Sequence, residues 1–226
     1  MSKKVLNYIL ILAVIPLLII LGVVAFGDRK YMIISMAIAI VALIPFLMKF
    51  EKKKTSTKEI VIIAVMTAIS VAGRCLFAVI PGFKPITAIV LITAIYFGSE
   101  AGFVVGAFSA LISNIFYGQG PWTPFQMFVW GILGFIGGIV AKKGWLDNRI
   151  GLILYSILGG VLYSMLMDIW TVLAMDGTFS ITRYIAAVGT SLPFMTIYAV
   201  SNVVFILPIK KLFGPRLERI KRKYQI

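Results

Sequence analysis

Histidine is absent from the 226 residues, cysteine occurs once, at Cys75, and only eight residues are acidic. Without imidazole there is no Ser-His or Cys-His nucleophile, no histidine-held metal and no histidine ligand for a cobalt or haem centre. Cys75 has no partner for a disulfide within the chain. No G-x-x-x-x-G-K-[ST] segment occurs, so the chain has no P-loop with which to bind and hydrolyse ATP. Energy for any active process must come from a partner or an ion gradient. Asp28, Glu51, Glu59, Glu100, Asp147, Asp176 and Glu218 fall at the ends of apolar runs or between them, which leaves Asp168 as the one carboxylate well inside a run. An ion-coupled carrier usually needs intramembrane carboxylates or a broken-helix ion site, for which one aspartate is thin support.

What is abundant is hydrocarbon. With 61% hydrophobic residues and a mean hydropathy of +1.03, the chain reads as an all-α integral membrane protein. Apolar runs predict eight spans at about 5–26, 31–48, 60–80, 85–98, 101–117, 124–141, 150–173 and 184–208. The first run carries no small-x-small cleavage site and is read as a retained helix. The fourth, PITAIVLITAIYFG, is short for ~30 Å of hydrocarbon at 1.5 Å per residue. From Ala101 to Ala141 no charged residue occurs, and one helix of that length would reach ~60 Å, so the segment must fold back. The turn is FYGQGPWTPFQM, Phe116 to Met127, rich in glycine, proline, aromatics and amides.

Charge placement gives an orientation. With a cytoplasmic N-terminus, 17 of the 22 Lys and Arg lie on the inner side, leaving Arg29, Lys30, Arg74, Lys84 and Arg183 outside. Both termini are then expected in the cytoplasm and the FYGQGPWTPFQM turn on the outer face. This asymmetry and the basic tail explain most of the net charge of +14 through topology and anionic lipid, without nucleic acid.

Arg74 and Asp168 are expected at similar depth in the outer half of their spans. A charge facing lipid costs at least ~2.5 kcal/mol, so neither should do so. Two readings stand: a structural ion pair, or an arginine snorkelling outward, against one or both residues lining a polar cavity. Small residues at intervals of three or four form close-packing stripes on three spans: Ala64, Ala68 and Ala72; Gly102, Gly106 and Ala110; and Gly131, Gly134 and Gly138.

The stretch from Lys58 to about Lys211, with six spans and A-V-M-T-A near the start of the first, resembles the substrate-binding S component of an energy-coupling factor (ECF) vitamin transporter. The segments GFKPITAIV, YFGSEAGF and FYGQGPWTPFQM, with the extra N-terminal hairpin, are similar to bacterial S components assigned to cobalamin. The resemblance implies a six-helix core at 59–212, preceded by a hairpin at 1–50 and a basic linker at 51–58, and followed by a basic tail at 213–226. It implies a transport subunit of the bacterial plasma membrane, without catalytic residues, cofactor or bound metal. The expected partners are the vitamin, a transmembrane coupling protein (the T component) and two ATPase subunits, within the lipid bilayer. Ala64 and Ala68 match the family's docking motif for the coupling protein.

In the family a vitamin sits near the outer face under two loops, here Val79 to Pro85 and Tyr117 to Pro124. Prolines stiffen both loops, glycines permit turns, aromatics offer flat apolar area and amides exchange hydrogen bonds. The implied binding set is Arg74, Phe77, Phe83, Lys84, Asn114, Tyr117, Gln119, Trp122, Phe125, Gln126 and Asp168. Cobalamin, with apolar faces and a carboxamide rim, suits such a site. Riboflavin, folate, pantothenate or a queuosine precursor is the alternative within the family, and an ion-coupled secondary transporter the alternative outside it. Asp168 with Asp176 forms no recognisable catalytic dyad.

Overall fold

The computed structural model describes residues 3–17, 41, 57–176 and 179–224, and every regular element among them is helical. Helix α1 spans Lys3–Ile9 and continues through a π-helical turn at Leu10–Val14. The core comprises α2 (Thr57–Leu76), α3 (Ile86–Phe97), α4 (Ser99–Tyr117), α5 (Trp122–Lys142), α6 (Arg149–Asp176) and α7 (Ile181–Tyr224). Five of these, all but α3, are long and apolar enough to cross a membrane. The chain is thus a multi-pass membrane protein whose six core helices match the expected runs to within a few residues, except at the ends of α7. Most of the expected N-terminal hairpin and the basic linker lie outside the described residues.

The short α3 is explained by its surroundings. Ten of its 12 residues are buried, on all sides of the helix. Its neighbours are α2, α4, α5, α6 and α7. A helix enclosed by other helices does not need the length that a lipid-facing one needs, because its ends are satisfied within protein.

The glycine stripes do what their spacing predicts. Helix α4 packs more extensively on α5 than on any other element. A methyl group on Gly106 would collide with the Trp130 carbonyl, one on Gly102 would come to 2.9 Å from the Gly134 oxygen, and one on Gly134 would reach 2.5 Å from the Gly102 oxygen. The backbones of α4 and α5 therefore touch at Gly102, Gly106 and Gly134, and only glycine permits that approach. The same device holds α6 on α7, where Gly160 abuts the backbone at Ala199.

Helix α7 is 44 residues long, about 66 Å at 1.5 Å per residue, and carries Pro193, Pro208 and Pro215 in its interior. The segment from 213, expected as a tail, is a continuation of this helix as far as Tyr224. Lys210 ties it to the turn after α5 by donating to the carbonyls of Leu146, at 2.6 Å, and Asp147, at 3.1 Å. Helix α1 lies against α5: Tyr8 meets Phe135 edge-on with ring centroids 5.3 Å apart, and Ile11 and Ile15 are fully buried.

Connectivity decides where a site can form. The C-terminal ends of α2, α4 and α6 and the N-terminal ends of α3, α5 and α7 share one end of the bundle. The loops 77–85 and 118–121 are there. The turn at 143–148 and the end of α7 are at the opposite end, where most of the basic residues collect.

Candidate functional site

At the loop-bearing end the last turn of α2 carries Arg74, only 7% exposed in a bundle of apolar side chains. Its Nη1 donates to Ser113 Oγ and, at 2.8 Å, to Asn114 Oδ1 on α4. Its guanidinium lies over the rings of Tyr117, at 4.7 Å, and Trp130, at 5.4 Å. Burial of a cation requires such compensation, and hydrogen bonds with cation–π contacts supply it. Asn114, fully buried, passes the connection on: its Nδ2 donates to Thr123 Oγ1 and to Gln126 Oε1, both at 2.9 Å. Gln126 Nε2 in turn reaches the Tyr163 hydroxyl on α6 at 3.5 Å. One polar chain therefore links α2, α4, α5 and α6 through a core that is otherwise apolar.

The loops are anchored to this chain. The Tyr117 hydroxyl donates to the Arg74 carbonyl at 3.1 Å, and Gln119 Nε2 donates to the Leu111 carbonyl at 2.7 Å, closing the end of α4. Gly118 has φ 95° and Gly82 φ 78°, conformations that side chains disfavour, so these two positions require glycine. Lys84 is tied through its backbone: its N–H donates to Ser201 Oγ at 2.8 Å, and that hydroxyl donates back to the Lys84 carbonyl at 3.1 Å. Phe77 and Phe83 close on Phe205 of α7, with centroids 4.8 and 4.9 Å from it.

Between these groups lies a narrow cavity lined by Gly82, Lys84, Thr87, Trp130, Tyr163, Tyr198 and Asn202, together with Ile86. Trp130 and Tyr163 stack there at 5.2 Å with planes 15° apart, and Tyr198 meets Tyr163 edge-on at 5.0 Å. Its volume is only about 20 Å³. That is room for about one water. Lys84 is among the lining residues, and burial, with Arg74 nearby, lowers its pKa to about 8.

Of the residues singled out from sequence, Arg74, Asn114, Tyr117 and Gln126 form one network, and Lys84 borders the cavity beside it. Phe77 and Phe83 belong to the loop anchor on Phe205. Trp122 stands at the start of α5 against Trp170, centroids 6.0 Å apart. Phe125 departs from the expected lid role: it is 7% exposed and belongs to the hydrophobic core. Asp168 also departs from expectation. It accepts a 2.6 Å hydrogen bond from Ser191 of α7 and forms no ion pair with Arg74, whose partners are on α4. The matched depth inferred from sequence said nothing of rotation about the helix axes. Ala64 and Ala68 are exposed and line an apolar groove of about 600 Å³ between α2 and α4, with Ile60, Val71, Phe108 and Phe116 among its walls.

Sequence reasoning missed Ser113, Thr123, Trp130, Tyr163, Tyr198, Asn202 and Phe205. One signal was available. The dipeptide Ser-Asn occurs in two apolar helices, as LISNIF and AVSNVVF, and both copies are buried and bonded across helices. Uncharged polar pairs are costly in hydrocarbon unless satisfied by a neighbour, so they mark interior faces.

Searches of curated proteins and of solved structures gave no match. The profile of the family described as "ECF-type riboflavin transporter, S component" matches residues 54–213, most of the chain and all of the core up to the middle of the last helix. Six packed helices, a polar chain beneath two glycine-hinged loops and this match across most of the sequence lead to one assignment: the chain belongs to the ECF-type riboflavin transporter S-component family, whose members are transport subunits that bind a vitamin-type substrate and work with a T component and ATPase modules.

Proposed function

We propose that this S component captures cobalamin at the outer face of a bacterial plasma membrane and delivers it inward when docked on its ATP-driven coupling module. The observation that carries the reading is the polar chain Arg74–Asn114–Gln126–Tyr163 beneath two loops that bear aromatics and amides. Side-chain amides and hydroxyls complement a ligand rimmed by carboxamides, and Trp122, Tyr117 and the Trp130–Tyr163 stack offer apolar faces to a wide ring. Entry requires loops 77–85 and 118–121 to part. Their exposure favours this: Val79 is 90% exposed, and a methyl group on Gly118 would meet nothing within 4 Å. Both termini are placed in the cytoplasm on the charge asymmetry, which puts the loop-bearing end outside. The Ala64–Ala68 groove, apolar and open, suits docking of the T component.

Riboflavin is the second reading, favoured by the description of the matched family and by a cavity whose stacked aromatic wall suits a flat tricyclic ring. Calorimetric titration of the detergent-solubilised chain with cyanocobalamin and with riboflavin separates the two. One-to-one binding of cyanocobalamin that weakens at least tenfold in Gln126→Ala supports the proposal. Binding of riboflavin alone transfers the site to the second reading.

A further inference from the structure

Helix α7 does not end where its apolar run does. From Lys210 to Tyr224 it continues for about 21 Å at 1.5 Å per residue, fastened along that length to the turn between α5 and α6, to α3 and to α2. Lys210 bonds the carbonyls of Leu146 and Asp147 in the turn. The backbone at Gly214 rests on Tyr96 near the end of α3, where a methyl group would come to 2.6 Å from the tyrosine hydroxyl. At the tip, the Lys58 ammonium at the start of α2 lies 4.4 Å from the centre of the Tyr224 ring. Leu217 is buried in the core and Ile220 packs against it. The segment is a strap laid across the end of the bundle, opposite the loops.

A helix held down on one side shows its other side to the surroundings. Lys211, Arg216, Arg219, Arg222 and Lys223 are all exposed, and at roughly 100° per residue they fall within one sector of about 140°. Leu212, 62% exposed, shares that sector. Glu218 pairs with Arg222 at 3.2 Å, and the other four cations form no ion pair among the described residues. Cations that only set topology need to lie on one side of the bilayer and need not share one face of a helix. The sector turned away from the bundle end is also turned away from the hydrocarbon that the bundle spans. An acidic protein surface therefore reaches it more directly than lipid headgroups do.

The strap adjoins the Ala64–Ala68 groove. Lys58, which meets Tyr224, stands two residues before Ile60, where the groove's wall on α2 begins. We propose that the groove and the basic face form one docking surface, and that the partner seated in the groove presents a cluster of Asp and Glu to the strap. This rests on the reading of the groove as the docking site of the T component and names the chemistry that the coupling module must carry there. Apolar packing in the groove sets where the partner sits, and the charge on the strap steers the encounter and its orientation.

The test is binding of the full-length chain to the purified coupling module, the T component with its ATPase subunits, in neutral detergent at about 50 and about 500 mM NaCl. Wild-type affinity is expected to fall about tenfold or more between the two. Arg216→Gln, Arg219→Gln and Lys223→Gln together should weaken binding about tenfold at low salt and less than about twofold at high salt, with an unchanged melting temperature because all three side chains are exposed. Ala64→Leu with Ala68→Leu should abolish binding at both. Wild-type binding indifferent to salt, or a triple variant that binds as wild type, overturns the acidic partner and leaves the groove standing. A dependence on the three cations seen only in vesicles containing phosphatidylglycerol, and not in detergent, assigns the face to lipid and likewise overturns it. Binding undiminished by the double leucine variant overturns the groove reading and the combined surface together.

Discussion

The Arg74 guanidinium and the Asn114 side-chain carbonyl, 40 positions apart in the chain, meet at 2.8 Å where α2 and α4 reach the loop-bearing end. Asn114 uses its other amide atom twice, toward Thr123 and Gln126, so its loss breaks three bonds at once. Asn114→Ala is expected to leave part of a buried cation unsatisfied and to destabilise the protein by about 2–4 kcal/mol, on the scale of a charged hydrogen bond with its desolvation penalty. Thermal unfolding in detergent followed by far-UV circular dichroism measures this. A shift no larger than that of an exposed alanine substitution would mean that the network contributes no stability.

The backbone contact between α4 and α5 positions Trp130, since a methyl group on Gly106 would strike the carbonyl of that residue. Gly106→Ala should push the helices apart at a cost of about 1–3 kcal/mol, as overpacking does, and displace the Trp130–Tyr163 stack. Both a lower melting temperature and weaker vitamin binding are expected. Retained affinity at reduced stability would detach the cavity from the helix contact.

The Ala64 and Ala68 side chains are exposed and the groove beside them is open. Ala64→Leu with Ala68→Leu should therefore change stability by less than ~0.5 kcal/mol, as exposed substitutions usually do. Vitamin affinity should also be unchanged, while co-purification with the T component and ATPase subunits is lost. Intact complexes from the double variant would remove this face from docking.

Lys84 gives a pH dependence with a definite sign. Its folded pKa of about 8 lies below the ordinary 10.5, so between these values the unfolded chain binds more protons and stability rises with pH. Below about 8 the ammonium is charged in both states and its burial penalty is felt in full. Arg74, Tyr163 and Tyr198 face the same region and are common to wild type and Lys84→Met. The melting temperature of Lys84→Met should thus exceed that of wild type at pH 7, with the gap narrowing as pH rises from 8 toward 10. A gap that is constant with pH would show that Lys84 is not strained in the folded state.

The sequence by itself determined the class and most of the element boundaries, because a bilayer imposes a length and a composition on each span that any reader can recognise. It also marked α4 and α5 as helices that allow a close neighbour, since glycines three or four apart leave one helix face without side chains; that they pack on each other was decided by the tertiary structure. Among the site residues, Arg74, Asn114 and Gln126 were legible because a polar group inside an apolar run has to be satisfied somewhere. Which partner satisfies each was decided only by tertiary structure. The direction of a side chain depends on rotation about the helix axis and on the neighbour packed there, and neither is written in depth or spacing. Arg74 therefore turns to Asn114 and not to Asp168, Phe125 points into the core and not into a lid, and Trp130, Tyr163 and Tyr198, ordinary aromatics in sequence, become the walls of the cavity.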